Sequence, residues 1–189
     1  MESALSIAIG IGLSAACGFR VFVPLLMMSI ASLSGNLPLS AGFDWIGTYP
    51  ALIAFGTATI LEVAAYFVPV LDHALDTITS PAAVVAGTIA TASVVTDLTP
   101  FLRWTLALIA GGGIAGIVQG STVLLRAKSS AFTGGIGNPV VSTGELFAAM
   151  ATALLAIILP VVCITLIAIL IAFILQKFGR LVLGKTRIM

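Results

Sequence analysis

The chain has 189 residues, of which 60% are hydrophobic and 8% charged, with a mean hydropathy of +1.23. A soluble domain carries about 25% charged residues, so this sequence has no means of covering itself with a water-compatible surface. A net charge of +1 gives no electrostatic footprint for a nucleic-acid partner.

Uncharged runs cover 3–19, 21–43, 45–61, 77–96, 104–125 and 146–176. A hydrocarbon-crossing helix needs about 20 mostly apolar residues. The expectation is therefore one all-α transmembrane domain over 1–189, a polytopic helical bundle whose partner is the lipid bilayer. No basic lead precedes the first apolar run, so it is expected to remain in the mature protein rather than to be cleaved.

In chain order, spans are predicted at 3–33, 50–71, 81–97, 100–126, 139–159 and 161–179. Pro50 opens the second. Ser80-Pro81, Thr99-Pro100 and Asn138-Pro139 each place a capping side chain before a first-turn proline. Ser142 and Glu145 have capping-box spacing. Polar connectors fall at 34–49, 72–80, 97–99 and 128–137. Pro160 alone divides the last two spans; the rival is five spans ending in one long kinked helix. With six spans, Arg126, Lys128, Lys177, Arg180, Lys185 and Arg187 share one side and Arg103 takes the other. That count favours six spans with both ends and the basic tail 180–189 in the cytoplasm.

Gly10, Ser14 and Gly18 recur as Gly112, Gly116 and Gly120 at an offset of 102 residues. Repeats over 1–97 and 100–179, with three spans each, would be inverted halves, a plan common in secondary transporters. The same small-residue spacing is also ordinary helix-packing glue.

The run from Gly12 through Arg20 to Pro24, then Glu62, Pro69, Asp72 and Asp76, then Gly111–Gly113, Arg126, Asn138-Pro139, Ser142 and Glu145, resembles the bacterial integral-membrane family catalogued as Domain of Unknown Function 4126. The resemblance covers nearly the whole chain and implies a membrane location without an activity. The chain departs from that pattern at Tyr66 and Phe67, where an acidic–basic pair is usual. It also lacks a lysine upstream of the arginine, so the charge network implied by the resemblance is thinner here.

Arg20 and Glu62 fall about 20 Å and 18 Å from the same end of adjacent spans at 1.5 Å per residue. A lone mid-bilayer charge costs on the order of 3 kcal/mol, so the two are expected to pair. Either they form a structural salt bridge, or Arg20 contacts an anion and Glu62 couples a proton or cation. Arg126 and Glu145 are expected to echo that pair at the inner face. Asp72 and Asp76 share a helical face with His73 between them, a pattern fitting a cation site or a solvated, helix-capping loop. A lone histidine excludes a multi-histidine metal centre. Cys17 and Cys163 read as buried hydrophobes. The threonines and serines of 77–96 could line a path or bond neighbouring helices. No cofactor motif or catalytic triad appears. The function expected is transport of a small ion, solute or lipid headgroup near Arg20 and Glu62, with Asp72, Asp76, Arg126 and Glu145 along the path. The alternative is a non-enzymatic scaffold subunit that docks other helices within a homo-oligomer or larger complex.

Overall fold

The structure is a computed structural model that describes residues 2–66 and 69–184, with side chains described over 3–66 and 77–176. The side chains of Asp72, His73 and Asp76 and most of the basic tail therefore lie outside the described residues. Among the described residues, eight α-helices follow in order: α1 Glu2–Phe19, α2 Phe22–Leu33, α3 Tyr49–Tyr66, α4 Pro69–Val94, α5 Pro100–Leu106, α6 Gly113–Thr133, α7 Asn138–Ile158 and α8 Pro160–Gly184. A π-type turn, Ala107–Gly112, joins α5 to α6, so Pro100–Thr133 runs as one 34-residue helix. Among the described residues, four helices are long and apolar enough to cross a membrane, and shorter apolar helices accompany them. The chain is all-α and compatible with an integral membrane protein.

The first predicted span is two helices. Pro24 lacks an N–H, and its ring clashes with the carbonyl four residues back, which belongs to Arg20. The helix breaks there, and Pro24 instead sits in the first turn of α2, where proline is tolerated. α2 then turns back along the bundle. Were it collinear with α1, Leu33 would lie about 35 Å beyond Gly10. Yet Ser40 donates its backbone N–H to Ser93 O at 2.6 Å and its hydroxyl to Ala92 O at 2.8 Å. Gly10 packs directly on neighbouring Thr91. Seven residues of linker reach at most about 25 Å. Only a hairpin satisfies both contacts.

At the small residues, α1, α4 and the long α5–α6 helix cross closely. Ser14 Oγ lies 2.6 Å from Gly87 O and 2.7 Å from Thr91 Oγ1. A Cβ on Gly87 would lie 2.6 Å from Ala115 Cβ and 3.1 Å from Gly111 O. A Cβ on Gly18 would lie 2.6 Å from both Ala115 O and Val118 Cβ. α1 and α5–α6 consequently run the same way: Ile7 shares a cavity with Leu98 and Leu102, while Gly18 reaches Val118. Inverted halves would need these two helices opposed, so the Gly10 and Gly112 stripes are not related in that manner. Small-residue packing accounts for them instead, and only in part. Gly112 faces Thr88 and Gly116 lies near Val84, but Gly120 meets nothing within 4 Å. Gly120→Leu should accordingly leave the folded yield in detergent unchanged within error.

Two further expectations change. Pro81 does not open a helix; α4 runs through it from Pro69 to Val94, so 72–80 is helical rather than a connector. At the other boundary, Leu159 leaves helical geometry at φ −133° and Pro160 starts α8. α8 folds back on α7, with Cys163 Sγ 3.6 Å from Thr152 O. These are two helices, and a single kinked one is excluded. The start of α1 and the end of α8 thus lie at opposite ends of the bundle, against the expectation that both face one side. The even-numbered hairpin replaces what was counted as a single crossing.

Candidate functional site

Breaking a helix inside an apolar bundle exposes backbone donors that water cannot satisfy. At the hairpin tip those donors are the N–H groups of Val21 and Phe22. Glu62, on α3, accepts both, Val21 N–H on Oε1 at 2.8 Å and Phe22 N–H on Oε2 at 3.1 Å. A carboxylate is well suited to a helix N-terminus, where the macrodipole adds to the hydrogen bonds.

Arg20 turns the other way. Its Nη2 donates to Ser142 O at 2.9 Å and to Ser142 Oγ, and lies 3.5 Å from Glu145 Oε2. Arg126, from α6, brings Nε to 3.1 Å from Glu145 Oε1. Both guanidinium carbons lie over the Tyr66 ring, at 4.0 Å for Arg20 and 4.4 Å for Arg126. Desolvated cation–π contacts of this kind contribute about 2 kcal/mol each. The Tyr66 hydroxyl lies 3.1 Å from Thr79 Oγ1, to which Gln119 Nε2 donates at 3.2 Å. Arg20 is 1% exposed, Arg126 2%, Glu145 5% and Glu62 7%. Five helices thus converge on one buried cluster at the hairpin tip, which among the described residues holds two arginines and two glutamates.

The expected Arg20–Glu62 ion pair is not formed. Glu62 is committed to the tip's N–H groups, and Arg20 pairs with Glu145. Matching depths on two straight helices could not foresee this, because the broken helix creates donors that compete for the carboxylate. Ser142 and Glu145 likewise do not form a capping box. Both sit inside α7, with Ser142 on Arg20 and Glu145 spanning the two arginines. Arg20, Glu62, Arg126 and Glu145 are therefore one assembly rather than two separate pairs.

Tyr66 and Gln119 complete the site without having been singled out as its members, and Thr79 joins it from among the hydroxyls of 77–96. Gln119 carried a usable signal, an amide inside an apolar run. Tyr66 was conspicuous only as a departure from an acidic–basic pair, and its ring now faces both arginines. The hydroxyls of the second half of α4 serve packing: Thr88 bonds Val84 O, Thr91 bonds Gly10 O and Ser93 bonds Ala90 O. Among the described residues, no three histidine, cysteine or acidic side chains converge as a metal site would require.

Comparison with curated proteins and with solved structures finds no match. A family model does match, described as a domain of unknown function (DUF4126), over residues 7–179. That span takes in most of the hairpin, Arg20, Glu62, Arg126 and Glu145, all of α7 and most of α8, and the chain belongs to this family.

Proposed function

We propose that the protein is a small transporter or channel of the bacterial cytoplasmic membrane, moving a small ion, polar solute or headgroup past the hairpin tip. One observation carries this reading: a helical hairpin ends inside the bundle at four buried charged side chains. Discontinuous helices that present their ends to a polar centre recur in transporters, and irregular backbone at membrane depth is tolerated where it serves such a centre. Intramembrane charges of this sort are functional candidates by default.

Orientation follows from charge. Arg126 and Lys128 lie towards the end of α6, and Lys177 and Arg180 towards the end of α8, all at the tip end of the bundle. Arg103 lies near the other end, where Trp45, Tyr49 and Trp104 are exposed as an interfacial aromatic belt would be. The tip end is thus the cytoplasmic one. The hairpin enters and leaves from outside, and five crossings follow it, through α3, α4, α5–α6, α7 and α8.

Reconstituted vesicles test the transport reading with a panel of sodium, potassium, chloride, acetate and phosphate. Flux of at least one above protein-free vesicles is expected. Arg126→Lys keeps the charge but loses the planar fork, so it should fold and lose most of that flux. Correctly folded protein passing none of the panel would favour a helix-docking subunit. The open faces of Gly113 and Gly120 on α6 suit that role.

A further inference from the structure

A hydroxyl inside a helix can satisfy itself by donating to the carbonyl four residues back, as those of Thr88, Thr105, Ser121 and Thr143 do. Ser29 on α2 and Thr59 on α3 do not. Their hydroxyl oxygens are buried and have no hydrogen-bond partner in the protein, and Ser29 as a whole is fully buried. The same holds for Nε and Nη1 of Arg20, a residue 1% exposed. Buried polar atoms left in this way are costly.

These atoms follow one seam. α2 and α3 pack side by side from the tip outward: Phe22 donates its N–H to Glu62, and a Cβ on Gly56 would lie 3.9 Å from Leu26 Cδ1. Ser29 shares the α2 stripe of Phe22 and Leu26, and Thr59 stands three residues from both Gly56 and Glu62 on α3. Thr59 is thus one turn outward of the Glu62 carboxylate, and Ser29 is about 10 Å outward of the tip. Ser32, further along α2, has its hydroxyl against Gly47 in the short turn Asp44–Gly47 at the outer end.

We propose that a file of water molecules occupies the α2–α3 seam, from the outer turn past Ser29 and Thr59 to Arg20, and forms the outer access route to the cluster. The donor and acceptor chemistry selects water. A hydroxyl both donates and accepts, so it links one water to the next. Each Glu62 oxygen takes one backbone N–H and keeps acceptor capacity for a water. Nε and Nη1 of Arg20 do not share one fork, so two separate waters suit them better than one bidentate anion. Buried waters of this kind satisfy two to four polar groups each, and broken backbone at membrane depth is tolerated where it lines water. The inference deepens the transport reading, and rests on it only for the statement that solute follows this water.

The test places one cysteine at a time, Ser29→Cys or Thr59→Cys, in the full chain with Cys17 and Cys163 replaced by alanine. The protein stays in lipid vesicles, and the probe is silver ion, which is close to water in size and binds the thiolate that forms in contact with water. Protection from maleimide labelling after denaturation reads out the silver reaction. Both positions should react about tenfold faster than Ile60→Cys, which neighbours Thr59 but faces outward at 70% exposed. Folded variants that both react no faster than Ile60→Cys overturn the inference. Thr59→Val decides where a cysteine variant fails to fold, because it keeps the shape and removes the hydroxyl. A hydrated hydroxyl predicts an unfolding midpoint that falls or holds. A midpoint that rises marks a dry, unsatisfied hydroxyl and overturns the inference equally. Reactive cysteines with no flux in vesicles would sink only the transport reading. Flux with both cysteines unreactive would sink only this inference.

Discussion

Gly87→Leu is expected to remove most of the folded protein. Gly87 sits where α4 meets both α1 and the π-type turn, and the Cβ alone would come within 2.6 Å of Ala115 Cβ, 3.1 Å of Gly111 O and 3.4 Å of Ser14 Cβ. Two of those three groups cannot rotate away, since one is a backbone carbonyl and one an alanine methyl. The helices must separate. Separation would also strip the Ser14 contacts with Gly87 O and Thr91 from a region where water cannot replace them. Overpacking typically costs 1–3 kcal/mol and occasionally more; with the lost hydrogen bonds, about 4 kcal/mol is expected here. Folded yield by size-exclusion chromatography and the unfolding midpoint in detergent measure it, with Gly120→Leu as the matched control on a face that meets nothing. Equal behaviour of the two variants would show that the three-helix crossing is not close.

Arg20→Met should be nearly as damaging. It takes Arg20 from Glu145, removes the bond to Ser142 and takes one of the two guanidinium groups off the Tyr66 ring. Breaking a buried ion pair by deleting one partner costs about 3–5 kcal/mol. The more telling result is the pattern of coupling. Arg20→Met combined with Glu145→Gln should recover part of the loss, giving an interaction energy of about 1–3 kcal/mol in a double-mutant cycle. Combined with Glu62→Gln, it should show the smaller coupling of charges that are near but not in contact. A larger coupling to Glu62 than to Glu145 would restore the ion pair expected from depth alone.

The contrast marks what the sequence could convey. Charged residues in hydrocarbon are rare enough that Arg20 and Glu62 stand out in the sequence; Arg126 and Glu145 read only as a second pair at the inner face, and the structure gathers all four into one cluster. Their partners were not legible, because pairing depends on helix direction and apolarity carries no direction. The run 3–33 is continuously uncharged but for Arg20, so a hairpin and a single span look alike in hydropathy. The one local signal was Pro24, four residues after Arg20, whose meaning as a break at that arginine was missed. The reverse error occurred at 72–80. Its polar residues and Pro81 resembled a connector, yet a proline inside a helix removes one hydrogen bond and kinks without always ending it. Pro160 was read in the right sense, since Leu159 does leave the helix there. The Gly10 and Gly112 stripes illustrate a third limit. Small residues every fourth position report that something packs closely, but Gly87, on α4, is what they pack against, and an isolated glycine in a threonine-rich helix gives little warning of that.

The hairpin carries the rest of the account, since without it Glu62 has no donors to cap and Arg20 does not reach α7. Pulsed electron paramagnetic resonance measures it directly, on spin labels at Ser3→Cys and Ser34→Cys with Cys17 and Cys163 replaced by alanine. The two sites are 31 residues apart, and a single helix through Arg20 would hold them at about 46 Å. The hairpin returns Ser34 to the end of the bundle where Ser3 meets Asp97, and predicts a distance below about 25 Å for arms of about 27 Å and 18 Å. A distribution centred there supports the arrangement, and one centred above 40 Å would contradict it.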